Sequence, residues 1–255
     1  MLNYEIHGTG TEPLVLLHGF MENLLIWEDL QPYLSKRFRL IKIDLPGHGR
    51  SPNYAETHTM SLMAEKVKEV LDTLKLGKVH LLGHSMGGYV ALALAEQYPE
   101  QLQSLTLFFS TFFADSEEKK EQRRKTFRII KESFRTFVSA GIPNLFSPNE
   151  QEILQEKISF AKEIALSTDT DGVLAATKGM IDRPTRKSVL ENLDTKILII
   201  AGKYDNAVKT SEMIDALPHR PNIKSYILDC GHNGHWEKPE ICASIINTEL
   251  INPPK

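Results

Sequence analysis

The sequence predicts an α/β fold, a mostly parallel central sheet flanked by helices, and three observations carry that prediction. Continuous apolar runs at residues 13–17, 38–44, 79–82, 102–109 and 196–201 read as strands buried on both faces, as in a parallel sheet covered by helices. The run at 79–82 passes straight into Gly83-His84-Ser85-Met86-Gly87-Gly88 and then into an Ala-rich helical stretch, residues 89–98. Ser85, Asp205 and His232 each stand just past the C-terminal end of a predicted strand, where open α/β sheets bind ligands.

A chain of 255 residues accommodates one large α/β domain with a sizeable core. A net charge of −3 gives no long-range attraction to nucleic acid or an anionic membrane, so the expected partner is a small-molecule substrate. No apolar run approaches a membrane span, and Met1-Leu2-Asn3-Tyr4-Glu5 lacks the basic start and apolar core of a signal peptide. The expectation is a cytoplasmic protein with no membrane insertion. Cys230 and Cys242 are too few for a disulfide framework and lack metal-ligand spacing, so both read as reduced structural thiols. No metal and no organic cofactor are expected, and the oligomeric state stays open. Asn252-Pro253-Pro254-Lys255 reads as a frayed tail.

In chain order, residues 2–7 alternate as a strand, Gly8-Thr9-Gly10 turns, and the strand at 13–17 ends in His18-Gly19-Phe20. That position suits the Phe20 N–H as one oxyanion donor, with the Met86 N–H as the other. His18 reads as a buried histidine bonded to loop backbone. A short helix is expected at 27–34 and a strand at 38–44. Leu45-Pro46-Gly47-His48-Gly49-Arg50-Ser51-Pro52 then makes a compact loop that shapes the site without doing chemistry. Residues 60–74 place Leu62, Met63, Val67, Val70, Leu71 and Leu74 at helical spacing, the crossover helix into the Ser85 turn. In that turn, glycine on either side lets strand and helix approach, Ser85 is held in a strained conformation, and the helix N-terminus aims free N–H groups at an adjacent oxyanion.

After the strand at 102–109 the character changes. Residues 116–125 are a charge run of both signs, read as a solvated helical face. It continues into a stripe of Phe127, Ile130, Phe134, Phe137 and Val138 that stops at Gly141-Ile142-Pro143. Ser147-Pro148-Asn149-Glu150 predicts a capping box opening a helix to about Leu166, and a third helix over 171–181 ends at Arg183-Pro184. With no strand pattern, residues 112–186 are expected as a helical cap over a core made of 1–111 and 187–255. Phe20, Phe112, Phe134 and Phe137 are candidates to line the substrate pocket. The strands then resume, one ending on Asp205 and one on His232.

A serine hydroxyl is a poor nucleophile at neutral pH, so a base must take its proton; histidine has a suitable pKa and a carboxylate fixes its tautomer. His235 is the rival base and Asp229 the rival acid. A metal site from His18, His84, His232 and His235 lacks the spacing of a known metal motif.

On His18-Gly19-Phe20, Asp44-Leu45-Pro46-Gly47-His48-Gly49-Arg50-Ser51, Gly83-His84-Ser85-Met86-Gly87-Gly88, Gly202-Lys203-Tyr204-Asp205 and Gly231-His232 with Glu237 and Pro239, the chain resembles the α/β-hydrolase fold family from end to end. The resemblance implies Ser85 as nucleophile, His232 as base, Asp205 as orienting acid, Phe20 and Met86 as oxyanion donors, and a helical cap inserted after the sixth strand. Ser85 sets the chain apart from relatives with an Asp nucleophile, epoxide hydrolases and haloalkane dehalogenases. Its Ser85 motif is most similar to esterases and monoacylglycerol-lipase-like enzymes, so the expected activity is hydrolysis of a small carboxylic ester through an acyl-enzyme. Carbon–carbon hydrolases, enol-lactonases and the menaquinone-pathway lyase share the scaffold, and a ligand receptor with little turnover is a further alternative. An enzyme acting on an oxo-acid needs a cation for the substrate carboxylate; Arg128, Arg135, Arg183 and Arg186 are the cap arginines that could supply it.

Overall fold

The computed structural model describes residues 1–250. Seven strands form one sheet: β1 (Tyr4–His7), β2 (Glu12–Leu17), β3 (Phe38–Ile43), β4 (Val79–His84), β5 (Leu102–Phe108), β6 (Lys196–Gly202) and β7 (Ile223–Leu228). Their order is β1-β3-β2-β4-β5-β6-β7, with β1 antiparallel to β3 and every other neighbouring pair parallel. The strand order reverses between β2 and β4, and such a switch point opens a crevice at the strands' C-terminal ends.

Alternate residues of each strand face opposite layers, which is why the apolar runs are continuous. Val15, Leu17, Ile41, Ile43, Leu81, Leu105 and Ile199 face α2 (Met60–Thr73) and α3 (Met86–Gln97). Leu14, Leu16, Leu40, Leu82, Phe108, Leu198 and Ile200 face the other layer, which includes Cys242 and Ile246 of a C-terminal helix. Burial pushes the Cys242 thiol up to about 12 and the Cys230 thiol higher still, so neither ionises at neutral pH.

The remaining helices are α1 (Gln31–Leu34), α4 (Glu117–Gly141), α5 (Gln155–Ser167), α6 (Thr170–Asp182), α7 (Lys187–Asn192), α8 (Thr210–Asp215), α9 (Gly234–Glu237) and α10 (Pro239–Leu250). Helices α4 to α6 lie between β5 and β6, so the inserted helical block follows the fifth strand and not the sixth: only five strands precede residue 109. The helix expected at 27–34 splits into a 3-10 turn, Leu24–Trp27, capped by Asn23, and α1, because Pro32 has no N–H with which to extend the preceding turn. The capping box at 147–150 does not form, and α5 starts at Gln155. The Ser147 N–H donates to Glu237 Oε2 at 2.9 Å and the Glu150 carboxylate pairs with Lys238, so these two do not bond each other, and the Glu150 N–H donates to the Ser147 carbonyl instead of its hydroxyl. Helix α4 breaks at Ser133 (φ −152°, ψ 49°) without a Pro or Gly to mark it. Among the described residues no helix is long and apolar enough to cross a membrane. The tail at 252–255 lies outside the described residues.

Candidate active site

The site is built at the C-terminal edge of the central strands. Between β4 and α3, Ser85 takes φ 48° and ψ −114°, a conformation that costs a non-glycine residue of order 1–3 kcal/mol. A Cβ on Gly83 would collide with the Gly87 backbone, and one on Gly87 with the carbonyl oxygens of Leu17 and His18. Strand β5 and the loop just after it anchor the turn: the Ser85 N–H donates to Phe108 O at 3.1 Å, and Ser110 Oγ donates to Ser85 O at 2.7 Å.

The loop after β2 is locked from both sides of Gly19. The Gly19 N–H donates to Glu22 Oε2 at 2.5 Å, and Gly19 O accepts from His18 Nδ1 at 2.7 Å. His18 Nε2 accepts from the Leu45 N–H at 2.9 Å, which places the ring's proton on Nδ1. Because the peptide is planar, fixing Gly19 O fixes the Phe20 N–H on the opposite side. Neither the Phe20 nor the Met86 N–H donates to a protein acceptor among the described residues, so both remain open.

Asp205, three residues past β6, uses Oδ1 to accept from the N–H groups of Ala207 (2.7 Å) and Val208 (2.9 Å). Its Oδ2 accepts from His232 Nδ1 at 2.7 Å, both side chains being almost fully buried. That contact assigns the proton to Nδ1 and leaves Nε2 as the basic nitrogen. Burial opposes a charged His232 ring, but the Asp205 carboxylate outweighs it and holds the His232 pKa above the ordinary value of 6.5. No hydrogen bond joins His232 Nε2 to Ser85 Oγ; contacts of this kind often tighten only with substrate bound.

A family model described as alpha/beta hydrolase fold matches residues 12–239. The chain belongs to that family. It is 33% identical to a thermophilic esterase from Thermogutta terrifontis, solved with malate bound, with a TM-score of 0.92 over 98% of this chain and 92% of that one. A putative 2-succinyl-6-hydroxy-2,4-cyclohexadiene-1-carboxylate synthase of Bacillus subtilis is 30% identical over 95% of this chain and 92% of that protein. The dihydrolipoyllysine-residue acetyltransferase component of the acetoin cleaving system of Pseudomonas putida is 42% identical, but over only 42% of this chain and 29% of that protein. In coarse terms the protein is a hydrolase of the alpha/beta fold.

The hydrolase places its rival residues elsewhere. His235 is fully buried among Trp27, His84, Phe108 and Trp236, neither of its nitrogens has a partner, and burial holds its pKa well below the ordinary value. Asp229 is exposed and pairs with Lys203 at 3.1 Å. His48 is buried with Nδ1 on Pro46 O, and burial drives its pKa down to about 3. Of the proposed pocket residues, Phe20, Phe134 and Phe137 are half-buried against the core. Phe112 is a core residue: it is 1% exposed, it packs on Phe113, and its carbonyl accepts from Arg186 and Thr185. Arg123, read from the sequence as part of the exposed run, turns inward to Asp115 at 2.5 Å. Of two buried carboxylates, Glu22 carried no local signal in the sequence, and Glu237 entered only as part of the family resemblance. Glu22 contacts Gly19 and His84, and Glu237 accepts from the N–H groups of Gly231, Asn233 and Ser147.

Proposed function

We propose that the protein is a serine hydrolase that cleaves a small carboxylic ester through an acyl-enzyme, without metal or organic cofactor. The observation that carries this reading is the 2.7 Å contact of His232 Nδ1 with Asp205, at the same sheet edge as Ser85 in its strained turn. His232 Nε2 takes the Ser85 Oγ proton as the oxygen attacks the ester carbonyl. The N–H groups of Phe20 and Met86 receive the oxyanion, and His232 returns the proton to the leaving alcohol. Water repeats the sequence on the acyl-enzyme.

A neutral ester is favoured over an oxo-acid because none of the four candidate arginines is both unpaired and turned inward toward a substrate carboxylate. Arg128 is solvent-facing and bonded to Glu132, and Arg135 is exposed. Arg183 is held by Asp115 and stacks 3.9 Å over Tyr89, and Arg186 is held by Glu96 and Ser61. One observation favours a carboxylate-bearing substrate: Lys119, in the first turn of α4, is half-buried with no carboxylate partner among the described residues. The bound malate of the Thermogutta esterase fits that second reading.

The deciding experiment measures turnover of p-nitrophenyl esters of increasing acyl length, alongside a monoester of a dicarboxylic acid and labelling by a fluorophosphonate. Ser85→Ala and His232→Ala are each expected to lower kcat by about 10^5-fold, with little added by combining them. Labelling is expected at Ser85. Inert neutral esters with turnover of the carboxylate-bearing substrate, lost in Lys119→Ala, would replace the first reading by the second.

A further inference from the structure

Glu22 and His84 sit where three separate pieces of the site converge. The Glu22 carboxylate is 2.8 Å from His84 Nδ1, and its Oε2 also takes the N–H of Gly19 at 2.5 Å. His84 Nε2 in turn donates to the backbone oxygen of His232 at 3.0 Å. One chain of three contacts therefore runs from the loop that presents the Phe20 N–H, through the residue directly before Ser85, to the loop that carries the candidate base. The His84 ring is 1% exposed and lies 4.9 Å from the His232 ring, centroid to centroid.

The rest of the neighbourhood leaves this chain no substitute. A Cβ on Gly19 would meet Glu22 Oε2 at 2.7 Å, His84 Nδ1 at 2.9 Å and Ser85 Cβ at 3.1 Å, so the oxyanion loop and the Ser85 turn already touch and have no room to shift independently. Trp27 and His235 complete the box around the His84 ring at 6.5 and 4.8 Å, and neither offers it a hydrogen bond. Burial alone would push the Glu22 carboxyl up, but His84 more than offsets it and brings the pKa down to about 2. Buried polar networks are worth keeping only when fully satisfied, and here each contact ends on a group that the chemistry needs in place.

We infer that Glu22 and His84 are positioning residues: their hydrogen bonds hold the oxyanion loop, the Ser85 turn and the His232 loop in the register required for Ser85 to be activated. The inference rests on the proposed roles of Ser85, His232 and Phe20. Neither residue touches the reacting atoms; the pair acts through Gly19 and His232.

The test compares Glu22→Ala, Glu22→Gln and His84→Phe for kcat, KM, fluorophosphonate labelling of Ser85 and thermal midpoint. A misplacement of about 1 Å costs about 10^2-fold in rate, so Glu22→Ala and His84→Phe are each expected to lose about that much in kcat and labelling, with KM little changed. Glu22→Gln is expected to recover most of the loss. Both native contacts fall on one oxygen, Glu22 Oε2, and the amide oxygen of Gln can take that place, accepting from the Gly19 N–H and from His84 Nδ1. His84→Phe keeps the ring volume and supplies the same comparison where the alanine variant does not fold. Three outcomes would overturn the inference: folded Glu22→Ala and His84→Phe proteins with wild-type kcat, a change confined to KM, or Glu22→Gln as impaired as Glu22→Ala. A wild-type protein in which Ser85 is not labelled at all would instead remove the functional reading on which the inference stands.

Discussion

His232 shows how one contact sets a measurable property. Its ring is buried, which alone would favour the neutral form, yet Asp205 at 2.7 Å keeps the pKa above 6.5. In the proposed mechanism His232 must be unprotonated to accept the Ser85 proton, so ester hydrolysis is expected to rise with pH through a midpoint above 6.5. Asp205→Asn removes the group that raises the pKa and leaves burial, which lowers it. The midpoint should therefore move down while the rate falls by up to about 10^4-fold through loss of the correct tautomer. A pH–rate profile of the two proteins checks both, and a wild-type midpoint below 6.5 would contradict the assigned contact. For stability the sign is the reverse of an acid's: the contribution of His232 is present below pH 6.5 and lost as pH rises through the folded-state value.

At the scale of elements, the inserted helices are clamped at their base by Asp115. This carboxylate lies just before α4 and accepts from Arg123 Nε at 2.5 Å and from Arg183 Nη2, past the end of α6, at 2.8 Å. Arg183 also donates to Met180 O and covers the Tyr89 ring of α3, so the start and end of the block are tied to each other and to the core. Burial would raise the Asp115 pKa, but the two arginines lower it. Replacing Asp115 by Asn leaves two largely buried cations without a counter-charge, expected to cost about 3 kcal/mol. Thermal denaturation should show the loss, while Ser85 labelling at 25 °C stays within about threefold of wild type because Asp115 makes no hydrogen bond to Ser85, Asp205 or His232.

Across the whole molecule, Glu237 joins core and inserted block. It is 7% exposed, and it accepts from the N–H groups of Gly231 at 2.9 Å, Asn233 at 3.1 Å and Ser147 at 2.9 Å. Glu237→Ala would strand three buried donors, each worth about 1–3 kcal/mol when unsatisfied. The expected result is a lower thermal midpoint together with slower Ser85 labelling, since the stranded donors flank His232. Glu237→Gln, which keeps an acceptor oxygen, should lie between the two. An alanine variant as stable as wild type would show that solvent satisfies these donors and that the two parts are joined elsewhere.

What the sequence by itself determined is what local chemistry determines. Residues 13–17 and 196–201 had to be buried strands because they are apolar on both faces, and the glycines around Ser85 allow only a tight turn. The order Ser85, Asp205, His232 followed from the same strand ends. The tertiary structure decided whatever depends on a partner distant in the chain. Ser147 and Glu150 carry the pattern of a capping box, but Glu237 takes the Ser147 N–H, Lys238 takes the Glu150 carboxylate, and α5 starts at Gln155. Phe112 belongs to an aromatic cluster in sequence, yet it is enclosed in the core. Glu22 has no local motif at all, and its place beside His84, 62 residues away, exists only because β2 and β4 are neighbours in the sheet. Periodicity records which face of an element is buried; it does not record which side chain waits on the other side.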